Sequence, residues 1–174
     1  MTRLYLLRHG ETEENTRHIL QGTMPGTLTA LGRQQALDAA APLAGLRFDA
    51  VFTSDLRRCV ETTRILLPRL TTRPGLRPVE TKLLRERDWG SVTGMVVDGQ
   101  HKVVIPPDAE SVETMKRRAR AFLQFVATHC PGQTVLAVSH GLFCRCLQAV
   151  HAGAEIADIP RMANAETSLI EVED

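Results

Sequence analysis

The 174-residue chain lacks three kinds of segment: a long apolar run, a block of like charges and a low-complexity tract. Without an apolar run of bilayer length, no membrane-spanning helix is expected. The apolar run at residues 4–7 is too short for the hydrophobic part of a signal peptide, so we expect a cytoplasmic protein. The 21 Lys and Arg residues are mixed with 20 Asp and Glu residues, giving a net charge of +1. This balance argues against nucleic-acid or membrane partners.

Cysteines and several well-known motifs are also scarce. The four cysteines form no CxxC pair, so buried thiols are expected rather than disulfides. The chain has no GxSxG elbow, no P-loop and no GxGxxG turn, so serine hydrolases, nucleoside triphosphatases and dinucleotide-binding proteins lack their motifs here. The length fits a single domain, residues 1–174, with one substantial core.

Short apolar runs predict the strands of this domain. Four of them lie at residues 4–7, 48–53, 134–139 and 167–172, and a shorter strand is expected near Val79. The runs alternate with segments of helical period. This alternation predicts a three-layer α/β/α fold with a mostly parallel central sheet.

Apolar side chains repeated every three or four residues predict the helices. One is expected to begin after Thr29 and continue to Gly45, and a second to be capped by Ser54 or Asp55. Ser111 precedes the clearest helical stripe, and a fourth helix follows the strand at residues 134–139. Each helix thus connects or covers strands of the predicted sheet.

Basic side chains follow three of these strands at the point where each ends. Arg8 and His9 follow the first strand, Arg57 and Arg58 the second, and His140 the third long one. In parallel α/β sheets, ligands bind beyond the carboxyl ends of the strands. We therefore expect two histidines and three arginines to converge at one edge of the sheet.

These residue types favour phosphoryl chemistry. The planar guanidinium of arginine binds phosphate or carboxylate bidentately, and a neutral imidazole can attack phosphorus. A metal held by the two histidines is the alternative, but the arginines would repel a divalent cation and no third ligand lies at a suitable spacing. No metal and no cofactor are therefore expected.

At these residues the chain resembles the histidine phosphatase superfamily, the phosphoglycerate mutase-like proteins. Segments similar to the family's motifs occur in the family's order: "RHGET" at 8–12, "LQG" at 20–22, "LTALGRQQA" at 28–36, "SDLRRCVETT" at 54–63, "LLRERDWGSVTG" at 83–94, "PPDAES" at 106–111 and "VLAVSHG" at 135–141. The resemblance therefore extends over nearly the whole chain and implies a phosphoglycerate mutase-like fold.

The resemblance implies a role for each matching residue. His9 would be the nucleophile that forms a phosphohistidine. Glu86 would protonate the leaving oxygen and then accept a proton from the attacking water. His140 would be catalytic as a further phosphoryl ligand. The residues expected to bind the phosphoryl oxygens are Arg8, Asn15, Arg58 and His140.

Some of these assignments keep an alternative. Glu86 lies between two arginines, so a salt-bridged surface loop is another interpretation, with Glu13 or Glu14 as the acid. Arg57 is expected to be a solvated helix residue. His18 is expected at the surface or at the rim of a pocket.

The implied activity is that of a metal-independent phosphatase acting on small phosphomonoesters. A phosphorylated protein substrate, a phosphoglycerate-type mutase and a non-catalytic phospholigand-binding module remain alternatives. Eleven residues, 95–105, stand where relatives commonly have a longer helical insertion, and residues 98–102 predict a polar turn. The chain also ends two residues after the last predicted strand. Neither segment is expected to form a lid, which favours hydrolysis.

Overall fold

The computed structural model of the protein describes residues 1–97, 99 and 103–173. The four long predicted strands, the short strand and the four predicted helices are all present. In chain order, the strands and helices are β1 (Thr2–Arg8), α1 (Glu13–Thr16), α2 (Ala30–Asp38), β2 (Arg47–Phe48), β3 (Ala50–Ser54), α3 (Arg57–Leu66), β4 (Thr71–Thr72), β5 (Val79–Thr81), α4 (Val112–His129), β6 (Thr134–Ser139), α5 (Gly141–Ala152) and β7 (Thr167–Val172).

Five strands form the central sheet in the order β5-β3-β6-β1-β7. The pairs β5-β3, β3-β6 and β6-β1 are parallel, whereas the edge strand β7 runs antiparallel to β1. β6 lies in the middle, where Ala137 pairs with Leu6 on one side and with Phe52 on the other. β2 and β4 pair separately. The predicted mostly parallel sheet is confirmed.

Side chains of the inner strands alternate between two apolar layers. In β1, Leu6 packs in the cluster formed with α4 and α5, whereas Leu7 packs in the cluster that contains α3 side chains. Ala137 and Val138 of β6 divide in the same way. Successive side chains of a strand point to opposite faces, so each strand contributes to both layers. The predicted three-layer α/β/α architecture is confirmed.

Helix α2 is shorter than the hydrophobic pattern predicts. It begins after Thr29, whose hydroxyl caps it as expected, but it ends at Asp38 rather than near Gly45. Pro42 explains the difference, because it has no N–H to donate to the Asp38 carbonyl and its ring would collide with that oxygen. A 3₁₀ turn, Ala41–Leu43, follows instead.

The predicted cap of α3 is wrong. The helix begins after Leu56, which forms no side-chain cap. Ser54 Oγ lies 2.9 Å from His140 Nε2, and the Asp55 carboxylate accepts two hydrogen bonds from Arg85, each 2.7 Å long. Both side chains therefore join separate segments around the strand ends instead of capping a helix.

Two expectations from composition agree with the structure. All four cysteines are buried free thiols. Within the described ranges, no helix combines the length and the apolar character needed to cross a bilayer.

Candidate active site

A cavity of about 410 Å³ opens at the carboxyl end of β1. β6 and β3, which run parallel to β1 in the sheet, end on the same side. Five of the six predicted site residues line this cavity: Arg8, His9, Asn15, Arg58 and Glu86. The sixth, His140, is buried against His9, with 5.4 Å between the ring centroids. The structure therefore brings all six residues together.

The backbone holds His9 in one tautomer. Its Nδ1 lies 2.7 Å from the carbonyl oxygen of Gly10. Because a carbonyl oxygen can only accept, Nδ1 carries the proton and Nε2 keeps its lone pair. The His9 amide also donates to the Ser139 carbonyl at 3.0 Å, which ties the end of β1 to β6. The lone pair of His9 Nε2 is thus left for a ligand, on a ring whose orientation the backbone fixes.

Gly10 allows the turn after β1 to pack tightly against α2. A Cβ atom at this position would lie 2.3 Å from the Gly32 carbonyl oxygen. The Gly10 amide donates to Thr62 Oγ1 on α3 at 3.1 Å. A side chain at Gly10 would therefore displace the turn that orients His9.

Arg58 is a buried cation that backbone carbonyl groups hold in place. It is 1% exposed, and its terminal nitrogens donate to the carbonyls of Gly22, at 2.8 Å, and Met24. Its Nε lies 3.3 Å from His9 Nε2. Because Nε2 bears the lone pair, Arg58 donates this hydrogen bond. The same N–H faces the position that a phosphoryl group on Nε2 would occupy.

Arg8 brings a second cation with one unused donor. A terminal nitrogen donates to the Met162 carbonyl at 2.6 Å. Its Nε is buried and has no hydrogen-bond partner in the part of the chain that the structure describes. A Cβ atom at Gly141 would lie 3.1 Å from this Nε, so the glycine that opens α5 makes room for the guanidinium. A buried unpaired donor is costly, and an anion in the cavity would satisfy it.

Glu86 brings a carboxylate to the same cavity. Its two oxygens accept hydrogen bonds from the backbone amides of Arg87, at 2.9 Å, and Leu142, at 3.2 Å. Leu142 lies in the first turn of α5, where a helix favours negative charge. The neighbouring Arg85 pairs with an aspartate, and Arg87 donates to a backbone carbonyl. Glu86 is thus directed to the cavity rather than into a salt-bridged surface loop.

Asn15 reaches the cavity from α1. Its Oδ1 accepts hydrogen bonds from the Thr12 amide at 3.1 Å and from Asn164 Nδ2 at 3.3 Å. The first of these belongs to a capping box. Because both bonds use the oxygen, the amide nitrogen of Asn15 is left as the donor for a ligand.

His140 completes the group from the end of β6. Its Nε2 lies 2.9 Å from Ser54 Oγ and 3.4 Å from Cys59 Sγ. Its ring packs edge-on against His9, which helps to fix the His9 ring plane. Burial, and then the charge of Arg58, lowers the pKa of both histidines well below the ordinary value. Both imidazoles are therefore neutral at pH 7.

Comparison with known proteins identifies the family of the chain. The sequence model of the histidine phosphatase superfamily (branch 1) matches residues 4–174. The chain belongs to this superfamily. A 2,3-bisphosphoglycerate-dependent phosphoglycerate mutase of Bartonella bacilliformis is 33% identical in an alignment covering 90% of this chain and 84% of the mutase.

Solved structures of similar proteins show the same fold. A mycobacterial glucosyl-3-phosphoglycerate phosphatase in complex with VO3 has a TM-score of 0.81 and 28% identity, covering 97% of this chain and 92% of that chain. Bacillus stearothermophilus YhfR has a TM-score of 0.86 and 27% identity, covering 99% of this chain and 92% of that chain. The chain is an enzyme of the histidine phosphatase superfamily, in which both phosphatases and mutases are named.

The residues that the sequence offered as alternatives to the predicted site residues lie outside the cavity. Glu14 accepts a hydrogen bond from the Thr27 amide at 3.1 Å, and Glu13 is exposed at the start of α1. Arg57 and His18 are also exposed and do not line the cavity. Among the residues described, Glu86 is the one carboxylate that lines it.

The other residues that line the cavity were not predicted from the sequence. They are residues 19–22, Trp89, residues 141–142, Arg145 and residues 161–162. Most of these residues lie in loops without a hydrophobic period. The "LQG" segment was identified through the family resemblance, but nothing in it indicated a chemical role. Arg145 and Arg161 lie outside the recognised motifs, so nothing in the sequence predicted that they line the cavity.

Replacing Arg58 should raise the pKa of His9 in this histidine phosphatase superfamily member. Burial lowers that pKa most, and the nearby Arg58 charge lowers it further. In Arg58→Gln the burial remains but the repulsion of the imidazolium is lost, so His9 should take up its proton at higher pH. An NMR titration of the His9 ring checks this. The exposed control Arg57→Gln should leave it unchanged, and an unchanged or lower pKa in Arg58→Gln would contradict the assignment.

Proposed function

We propose that the chain is a metal-independent phosphatase that hydrolyses small phosphomonoesters through a phosphohistidine on His9. The observation that supports this most directly is the pair of contacts on the His9 ring. Nδ1 is bonded to the Gly10 carbonyl at 2.7 Å, while Nε2 faces Arg58 Nε at 3.3 Å. A neutral, oriented imidazole beside a buried cation suits attack on an anionic phosphoryl group.

The phosphoryl oxygens would be bound by residues already held in place. Arg8 would donate its unpaired Nε–H, and Arg58 the N–H that it otherwise gives to His9. Asn15 would donate its side-chain amide. His140 would donate a ring N–H after turning from Ser54 Oγ, which lies 2.9 Å from its Nε2 in the structure. Guanidinium groups match phosphate in geometry and charge. Two arginine charges balance the phosphomonoester dianion, so the proposal requires no metal ion.

Two displacements at phosphorus complete the reaction. His9 Nε2 attacks phosphorus while the bond to the leaving oxygen breaks, and that oxygen takes both the bonding electron pair and a proton from Glu86. The Gly10 carbonyl stabilises the charge on the phosphorylated ring. Water then attacks phosphorus as Glu86 accepts its proton, and the electron pair of the N–P bond returns to Nε2. The products are an alcohol and inorganic phosphate.

A phosphomutase is the second candidate, because a relative is named as one. A mutase must exclude water from its phosphohistidine while the intermediate reorients. Four of the six apolar side chains described in the segment 95–105 are exposed to solvent instead, namely Met95 48%, Val96 54%, Val104 77% and Ile105 45%, whereas Val97 and Val103 are half-buried. The predicted polar turn at 98–102 lies, apart from Gly99, outside the described residues. These exposures support hydrolysis over transfer.

Product analysis in the presence of EDTA tests the proposal. We expect release of inorganic phosphate from 3-phosphoglycerate or other small phosphomonoesters to be faster than interconversion of 2- and 3-phosphoglycerate with 2,3-bisphosphoglycerate added. A phosphoserine peptide in the same assay tests a protein substrate. Faster interconversion would identify a mutase. Activity that is lost in EDTA and restored by a divalent ion would contradict the metal-independent mechanism.

A further inference from the structure

The cavity contains more positive charge than a phosphoryl group requires. Its charged lining residues are Arg8, Arg58, Glu86, Arg145 and Arg161. Four cations and one carboxylate give 4 − 1 = +3, since burial keeps His9 neutral by lowering its pKa. A phosphomonoester contributes about −2 at neutral pH. At least one positive charge of the lining is therefore not balanced by the transferred group, and protonation of Glu86 for its role as the acid leaves a second.

Arg161 differs from the other three arginines because its guanidinium is not tethered. Arg8 and Arg58 donate to backbone carbonyls, as described above. Arg145 donates to the carbonyls of Ile156 and Ile159, both at 2.8 Å. Arg161 is exposed at the cavity, and its side chain has no hydrogen bond or ion pair with the residues that the structure describes. Its donors are available to a ligand.

Arg161 lies close enough to Arg8 for the two charges to repel each other. Burial is the main cause that lowers the pKa of Arg8, and the charge of Arg161 lowers it further. Nearby Glu166 is engaged with the loop backbone, since its Oε2 accepts a hydrogen bond from the Ala163 amide at 2.5 Å. Glu86 and Glu166 attract the Arg8 charge and act against this repulsion. An anion bound beside Arg161 would reduce the repulsion further.

The backbone that presents Arg161 is anchored on both sides. Before it, the bonds from Arg145 hold residues 156 and 159 against α5. After it, Met162 is buried, and Asn164 Nδ2 donates to the His9 carbonyl at 3.2 Å. A backbone fixed in this way reduces the entropy lost on binding. The position of the Arg161 backbone relative to His9 is thus set before a substrate enters.

We propose that Arg161 binds a second anionic group, a carboxylate or a phosphate, on the leaving group of the substrate. This inference rests on the proposed phosphatase function and narrows its substrate class. Arg161 would be a specificity residue, because it contacts the leaving group and not the transferred phosphoryl group. The carbon skeleton between the two anions would contact the apolar wall of the cavity, which includes Leu20, Trp89 and Leu142.

Three substrates that differ only in one group test the proposal. They are 3-phosphoglycerate, glycerol 1,3-bisphosphate, and glycerol 3-phosphate, whose leaving group is uncharged. Arg161→Gln should lower kcat/KM about tenfold for a substrate with the second anion, mainly through KM, and leave glycerol 3-phosphate within about twofold. Of 3-phosphoglycerate and glycerol 1,3-bisphosphate, the substrate whose kcat/KM falls more in Arg161→Gln carries the anionic group that Arg161 prefers, carboxylate or phosphate. Arg161→Lys should recover part of the loss.

A matched control variant removes the same charge elsewhere. Arg64 is exposed on α3 and does not line this cavity, so Arg64→Gln should change none of the three kcat/KM values. Equal losses for all three substrates in Arg161→Gln, or no loss for any, would overturn the proposal.

Binding without turnover separates this proposal from the phosphatase assignment. Calorimetry should show 3-phosphonopropionate binding the wild-type protein about tenfold more tightly than propylphosphonate, with the preference lost in Arg161→Gln. The measurement gives the same answer whether the enzyme is a phosphatase or a mutase. Equal affinity of the wild-type protein for both phosphonates would overturn the role of Arg161 even if hydrolysis is confirmed.

Discussion

His9→Ala is expected to lose at least about 10⁴-fold in kcat with small phosphomonoesters, because it removes the atom that bonds to phosphorus. In the wild-type protein, rapid quenching during turnover should trap phosphate on His9 as an acid-labile, base-stable adduct. Mass spectrometry of the quenched protein locates the adduct, and His9→Ala should yield none.

The control for this variant is another histidine. His151 is exposed on α5, so His151→Ala should keep wild-type activity and the same adduct. Circular dichroism and thermal unfolding establish whether His9→Ala is folded. A folded His9→Ala protein that turns over near the wild-type rate would refute the phosphohistidine mechanism.

Glu86→Gln should affect substrates according to their leaving groups. Alkyl phosphates, whose leaving oxygen needs a proton, should lose about 10²–10⁴-fold in kcat/KM, the usual contribution of general acid catalysis. Aryl phosphates with acidic phenols should lose much less. Steady-state kinetics over a series of substituted phenyl and alkyl phosphates measures the difference as a steeper dependence of rate on leaving-group pKa.

Glu14→Gln provides the matched control for Glu86→Gln. The Glu14 carboxylate accepts a hydrogen bond from the Thr27 amide and does not line the cavity, so any loss should be equal for alkyl and aryl substrates. If Glu86→Gln also reduced both classes equally, Glu86 would be a structural residue. Glu13 and Glu14 would then return as candidates for the acid.

The sheet and the main site residues could be predicted because their signals are local. The apolar runs at 134–139 and 167–172 have the bounds of β6 and β7. Arg8 and His9 directly follow a strand. Because ligands bind beyond the carboxyl ends of parallel strands, the sequence alone predicts that these two residues lie near Arg58 and His140. Asn15 and Glu86 needed the family resemblance, since no periodicity marks their positions.

The errors have two different physical origins. The early end of α2 could have been predicted from Pro42, whose effect on a helix is local, but the run of alanines suggested continuation. The absence of a Ser54 or Asp55 cap on α3 could not have been predicted, because these side chains contact His140 and Arg85, which are distant in sequence. The same holds for Arg161, which contributes to the cavity only through the path of its loop.

The strand that leads to His9 pairs with partners far along the chain. β1 is hydrogen-bonded to β6, which begins at Thr134, and to β7, which begins at Thr167. Bringing such distant segments together costs loop-closure entropy and slows folding. During synthesis at about 5–20 residues per second, β1 waits for roughly 10–30 seconds before both partners have been made.

In that interval the apolar side chains of β1 lack the cover that β6 and β7 provide, although Leu4, Leu6 and Leu7 are fully buried in the folded protein. An unpaired apolar strand can associate with other chains. The cavity at the end of β1 is therefore completed late in synthesis, and the strand that leads to His9 benefits from chaperone protection while the chain is being made.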